Sequence, residues 1–212
     1  MAPIRSMLND VYNARILELA GNIPRLGRLP APDASATAHS KLCGSTVTVD
    51  LKMDGDRVTD FAHEVKACAL GQASSSIMAR HVVGAKAGEL RALREGVRKM
   101  LKENGAPPAN GEWADIAVLE PVRDFKARHA STMLTFDAVV DAIGQIEAKR
   151  RETVRKMLKE NGAPPANGKW ADIAVLEPVR DYKARHASTL LTFDAVVDAI
   201  GQIEGKRRAA AS

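Results

Sequence analysis

Cys43 and Cys68 are the only cysteines among 212 residues, and each stands in a polar turn rather than an apolar run. Lys41-Leu42-Cys43-Gly44-Ser45 leads into a strand, while Lys66-Ala67-Cys68 closes a hairpin and opens a helix. The positive end of that helix favours the thiolate form of Cys68. Two thiolates at one end of a small sheet can hold iron, zinc or a sulfane sulfur. His129 is the histidine that could join them, because it falls on an apolar helical stripe facing the sheet end where the cysteines gather. His39, just before Cys43, is a reserve ligand, and His63, alternating within a strand, reads as structural.

The elements that must position these groups follow from periodicity. Met7–Gly21 reads as an amphipathic helix, with Leu8, Val11, Tyr12, Ile16 and Leu19 at helical spacing and Pro24 beyond its end. A loop over 28–36 leads to a short segment near Thr37–His39. Val47, Val49, Leu51 and Met53 alternate with polar residues as a half-buried strand does. Asp54-Gly55 is a two-residue hairpin signal, with a return strand over about Arg57–Lys66. The hairpin brings Cys43 and Cys68 together at its open end.

Helices are expected over Ala69–Val83, with Ser74, Ser75 and Ser76 as small packing residues, and over Ala87–Asn104 before Pro107 and Pro108. The last helix of the domain is expected from Pro121 to about Lys149, with Val122, Phe125, His129, Met133, Phe136, Val140 and Ile143 on one stripe. The fold class is therefore α+β: a small antiparallel sheet of about three strands packed against helices, followed by a duplicated, mostly helical C-terminal segment.

In order and spacing these words resemble the U-type iron–sulfur cluster assembly scaffolds, the family of IscU and the N-terminal domain of NifU. The resemblance runs over most of residues 7–150: Gly21-Asn22-Ile23-Pro24-Arg25-Leu26-Gly27, Cys43-Gly44, Cys68 with Ala73-Ser74-Ser75-Ser76, Leu119-Glu120-Pro121-Val122-Arg123 and His129. It implies a non-enzymatic scaffold that assembles a transient cluster of the 2Fe–2S type and passes it to recipient apo-proteins. The implied ligands are Cys43, Cys68 and His129, with His186 as the duplicate counterpart of His129. A cysteine desulfurase is the implied sulfur donor, and an Hsp70-type chaperone system is the implied reader of Leu119–Arg123. Where the family places an aspartate and a third cysteine, this chain has Ser45 and Ala130. Alanine ligates nothing and a serine hydroxyl is a poor donor beside thiolates. Two further readings share these residues: a zinc-bound sulfur acceptor of the SufU type, and a metal-free interaction module that kept the fold.

Composition narrows the classes. Hydrophobic residues at 45% and charged residues at 27% are ordinary for a globular protein that folds without cross-links. No stretch reaches the length of a membrane span or has the apolar core of a secretory signal. The expected address is the cytoplasm, with both thiols reduced. The net charge of +5 comes from Lys and Arg dispersed among acids with few aromatics, so nucleic acid is not expected as a partner.

Val97–Arg150 recurs as Val154–Arg207, differing only at Glu112/Lys169, Phe125/Tyr182, Met133/Leu190 and Ala148/Gly205. Residues 1–150 are thus expected as the scaffold-like domain and 151–212 as the repeat plus a short tail. Two copies do not make a solenoid. One sheet offers one docking surface, and the shorter tether favours the first copy. The second is expected to expose Val179, Tyr182, Leu190, Phe193, Val197 and Ile200, and to pack on itself, swap into a homo-oligomer or stay partly disordered.

Overall fold

The computed structural model describes residues 13–108, 111–164 and 171–191, with positions 194, 195, 198 and 202. Contacts divide the chain into two compact units, with the boundary at Ala142/Ile143. The elements of the first are α1 (Ala14–Gly21), β1 (Ala34–His39), β2 (Thr46–Asp54), β3 (Arg57–Lys66), α2 (Ala69–His81), α3 (Ala87–Lys102), a 3-10 stretch (Gly111–Asp124) and the start of α4 (Lys126–Lys159).

The sheet is antiparallel in the order β1-β2-β3, so the α+β expectation holds. His39 pairs with Thr46, and Thr46 with Lys66. Cys43 therefore lies on the β1–β2 loop and Cys68 just past β3, at the same sheet end. The hairpin turn sits one residue later than expected. Asp54 pairs with Arg57 and Gly55 takes φ +56°, so Gly55-Asp56 are the central residues. A left-handed first position is what a two-residue turn of this kind asks of glycine.

Helix boundaries also depart from the periodic reading. Asn13 is extended and its side chain accepts a hydrogen bond from the Ile16 amide, so a helix begins at Ala14 and cannot run unbroken from Met7. Met7, Leu8, Val11 and Tyr12 lie outside the described residues. α2 ends at His81 and α3 at Lys102, each two residues early.

The largest difference is at the expected start of the last helix. Residues 111–124 form a 3-10 stretch, and the α-helix begins only at Lys126. Trp113, Ile116, Leu119 and Val122 are all buried at steps of three, the repeat of a helix with three residues per turn. Pro121, without an N–H, fits inside it. The α-helix then continues past Lys149 to Lys159, because the repeat opens with the helix-forming Val154-Arg155-Lys156-Met157-Leu158-Lys159.

Inside the first unit, α2 packs on α1, on β3 and on the 3-10 stretch, and is buried on nearly every side. Ser74, Ser75 and Ser76 are fully buried, which is packing. The loop before β1 is pinned by Asp50, whose buried carboxylate accepts from Arg28 Nε (2.7 Å), from a terminal nitrogen of Arg28 (2.8 Å) and from the Leu29 amide (3.0 Å), with Ser35 donating as well.

The second unit repeats the corner locally. Val154, Met157, Leu158, Ile173 and Leu190 form a core with Leu176 and Val179 against it, the equivalents of Val97, Met100, Leu101, Ile116, Met133, Leu119 and Val122. Arg180 donates to the Gly162 carbonyl at 3.2 Å as Arg123 does to Gly105 at 3.4 Å. Arg151–Asp194 answers Arg94–Asp137. The second copy thus packs on itself. Leu190 and Val179 are covered rather than exposed, whereas Tyr182 is 66% exposed. Phe193, Val197 and Ile200 lie outside the described residues.

Burial tends to raise the pKa of Asp50, but the Arg28, Ser35 and Leu29 hydrogen bonds outweigh it and leave the carboxyl below its ordinary value. Its contribution to stability is then present above the ordinary aspartate pKa and is lost as pH falls through the lowered one. Asp50→Ala is expected to cost about 1–3 kcal/mol, because it leaves the part-buried Leu29 amide and the Ser35 hydroxyl without their acceptor, while Arg28 keeps Glu64. Denaturant unfolding should show this loss shrinking between about pH 4 and pH 2; a loss that persists at pH 2 would contradict the assignment.

Candidate functional site

Cys43 is exposed on the β1–β2 loop. The loop is tight: the Ser40 amide donates to the Ser45 carbonyl and the Gly44 amide to the Ser40 carbonyl, both at 2.9 Å. This folding places the Ser40 and Ser45 hydroxyls 3.3 and 3.0 Å from the Cys43 Sγ. Donation from Ser40, then from Ser45, stabilises the thiolate against burial, and the Arg128 charge adds to it; the pKa falls from 9.0 to about 7. Cys43 therefore ionises more readily near neutral pH than an ordinary thiol.

Cys68 is half-buried at the N-cap of α2, in extended conformation. Its Sγ lies 3.6 Å from the Ser131 Oγ, one turn into α4. The approach of α2 to α4 is made possible by Gly71. A Cβ there would stand 2.7 Å from the Ala67 Cβ and 3.0 Å from the Ser131 carbonyl oxygen. The first copy of the repeat is thus the one seated on α2.

His129 is buried on the same turn of α4, 7% exposed. Its Nε2 lies 3.1 Å from the Val122 carbonyl and 3.0 Å from the Arg123 carbonyl. Arg128, His129 and Ser131 therefore stand on one turn whose members reach both cysteines: Arg128 through its charge on Cys43, Ser131 through its contact with Cys68. Among the described residues, no three His, Cys, Asp or Glu side chains are already gathered as a metal-holding group. His129 and Ala130 line a cleft of about 880 Å³ together with His39, Lys102, Lys126 and Asp137. His39 Nδ1 lies 3.2 Å from the Thr46 Oγ1. His63 is fully buried, donates from Nε2 to the Pro24 carbonyl at 3.0 Å, and has a pKa lowered by burial. His186, in the second unit, has its Nε2 2.9 Å from the Arg180 carbonyl; that unit contains no cysteine.

Several members of this arrangement escaped the reading of the sequence. Ser45 stands where the family has an aspartate, and its hydroxyl serves the thiol instead. Ser40, Ser131 and Gly71 gave no separate signal. A serine two or three residues from a cysteine in a turn is the pattern that could have found the first two.

Comparison with known proteins comes to the same region. The family described as NifU-like N terminal domain matches residues 11–153. The iron–sulfur cluster assembly scaffold protein IscU of Streptococcus pyogenes serotype M1 is 29% identical over 140 residues, covering 65% of this chain and 86% of that protein. IscU of Thermotoga maritima is 24% identical over 136 residues, covering 64% and 94%. The crystal structure of a nitrogen-fixing NifU-like protein (N-terminal) from Brucella abortus is 68% identical, covers 68% of this chain and 99% of that one, and superposes with a TM-score of 0.66.

Two outcomes follow from the geometry. The pH profile of Cys43 alkylation is expected to have its midpoint near 7, and Ser45→Ala or Ser40→Ala should move it up toward 9.0; an unmoved midpoint would remove the hydroxyls from the account. Gly71→Ala is expected to lower stability by about 1–3 kcal/mol, because neither backbone nor Ala67 can yield cheaply, and to raise the alkylation rate of Cys68 by prising α2 from Ser131. Unchanged urea unfolding together with an unchanged Cys68 rate would show that the approach is not tight.

Proposed function

The chain belongs to the family of NifU-like N-terminal domains, the U-type scaffold family whose members are not enzymes, and on that footing we propose that it assembles iron–sulfur clusters on Cys43, Cys68 and His129 and passes them on. The cluster is cargo, a transient one of the 2Fe–2S type, rather than a resident cofactor. The observation that carries this reading is that Cys43 and Cys68 stand at one end of the sheet, with Cys68 near Ser131 and Cys43 within reach of the Arg128 charge, on the turn of α4 that bears His129. Two soft thiolates and an imidazole suit iron and sulfide. Ala130, where the family has a third cysteine, leaves a coordination position for a partner, a small thiol or a second chain, which favours release over retention. Residues 1–150 are proposed as the working domain, with 151–212 as the repeat and tail.

A cysteine desulfurase is the proposed sulfur source. Cys43 suits it, being exposed and having a lowered pKa: its thiolate attacks the terminal sulfur of a persulfide, that S–S bond breaks, and the donor leaves as a thiolate. Recipient apo-proteins are the proposed takers. Leu119–Arg123 is proposed for an Hsp70-type partner, and because Leu119 and Val122 are fully buried, a partner that reads it extended must first unwind the 3-10 stretch. A zinc-bound sulfur acceptor uses the same three residues and differs in holding Zn where iron would sit. Among the described residues no helix is long and apolar enough to cross a membrane.

Anaerobic reconstitution with iron, sulfide and a thiol should give a visible chromophore that is lost in Cys43→Ala and in Cys68→Ala. Ala130→Cys should slow its loss to a chelator, by about tenfold or more, through a fourth donor. A chromophore indifferent to both cysteines would defeat the scaffold reading. Retention of zinc alone, with no chromophore, would decide for the sulfur acceptor.

A further inference from the structure

We propose that peptide-binding partners hold this chain through its second copy: Leu176-Glu177-Pro178-Val179-Arg180 is the segment that a groove for extended apolar residues takes first, while the identical Leu119–Arg123 stays folded. The inference rests on the Hsp70-type partner of the proposed function for who reads the segment, and on burial alone for which copy is read.

Ala114–Asp124 and Ala171–Asp181 are the same in sequence, and both fold as 3-10 stretches. A partner that takes either one extended meets the same side chains. Its apparent affinity for each copy then differs by the fraction of time that copy is open, and that fraction is set by what the folded segment gives up on leaving its place.

The first copy gives up more. Ile116, Leu119 and Val122 are fully buried, and their stretch packs on α1, α2 and α3. Arg15 donates to Asp115 at 2.7 Å and the Trp113 Nε1 to Glu89 at 2.8 Å, so both ends of the stretch's first turn are tied to distant elements. In Ala171–Asp181, Ile173 is the one buried residue; Leu176 and Val179 are half-buried, Pro178 is exposed where Pro121 is half-buried, and Val175 is 77% exposed. What holds this stretch is local: Leu176 and Val179 against the small core, and Arg180 on the Met157 and Gly162 carbonyls at 3.3 and 3.2 Å. The same sequence therefore opens more readily in the second copy. Opening it moves none of the groups next to Cys43 or Cys68, whereas opening the first copy releases the stretch that leads into the turn of α4 beside Cys68. A partner that grips the repeat leaves the cysteine end of the sheet intact.

The test uses the full chain and a purified Hsp70-type chaperone with ADP, read by fluorescence anisotropy, with the free peptide Ile173–Arg180 as competitor. Val175→Asp changes an exposed side chain outside the small core, so the second unit keeps its packing, yet it sets a charge in the segment a groove would have to bury. It should weaken binding by about tenfold. Val118→Asp, the matching change in the first copy, should not weaken it. Cys68 should be alkylated in the complex at the rate of the free chain. Binding unchanged in Val175→Asp, binding weakened as much by Val118→Asp, or a rise in Cys68 alkylation on complex formation would each overturn the proposal. If the chaperone binds the peptide and the chain but Val175→Asp changes nothing, the choice of copy alone falls. If it binds neither peptide nor chain, the Hsp70-type partner falls as well.

Discussion

Between Gly71 on α2 and the Ser131 carbonyl on α4 there is no room for a methyl group, since a Cβ at 71 would stand 3.0 Å from that oxygen and 2.7 Å from the Ala67 Cβ. The placement of Cys68 against α4 depends on that contact. Cys68 lies one turn before Gly71 on the same face, so the approach that excludes a side chain at 71 also brings its sulfur to Ser131. With the turn of α4 fixed at this point, His129 is carried inward and Arg128 is set where its charge acts on Cys43. The sheet contributes the other half of the geometry: antiparallel pairing of Thr46 with Lys66 and with His39 leaves both cysteine loops at one end.

The chemistry of the two sulfurs then differs by position. Cys43 stands on an exposed loop between two serine hydroxyls and is easily ionised, which suits a sulfur that must meet a partner. Cys68 is half-buried against a helix that is itself covered on nearly all sides. The two thiols thus differ in access: one is open to solvent and the other is held between elements. Cys43, Cys68 and His129 come from three separate elements, the β1–β2 loop, the start of α2 and the start of α4, so a modest shift of one element changes their relative placement.

The repeat shows how much of a fold can be local. The corner of 3-10 stretch and helix start is held by contacts of short range in sequence: a ridge at steps of three, an arginine on a glycine carbonyl, and a histidine on the carbonyls it has just passed. Copied without the sheet, it forms its own small core and keeps the same bonds. What the copy lacks is cover for one face that is buried in the original. Leu134 is 3% exposed, and its equivalent Leu191 is 66% exposed.

The order of strands and helices, the hairpin, the location of Cys43 and Cys68 at one sheet end, and the buried stripe through His129 are legible in the sequence, because each follows from periodicity or turn chemistry over a few residues. The 3-10 stretch was legible in principle from Trp113, Ile116, Leu119 and Val122, but a step of three is easily taken for half of a helical pattern. Other features belong to the tertiary structure alone. The hydroxyl partners of Cys43 depend on how the Ser40–Ser45 loop folds. The meeting of Cys68 with Ser131 depends on a contact between elements far apart in the chain, and the seat of the His129 Nε2 depends on which carbonyls the corner turns toward it. Residue types and spacings set what chemistry is available; distances of about 3 Å between groups remote in sequence are set by packing, and those decided which atoms do it.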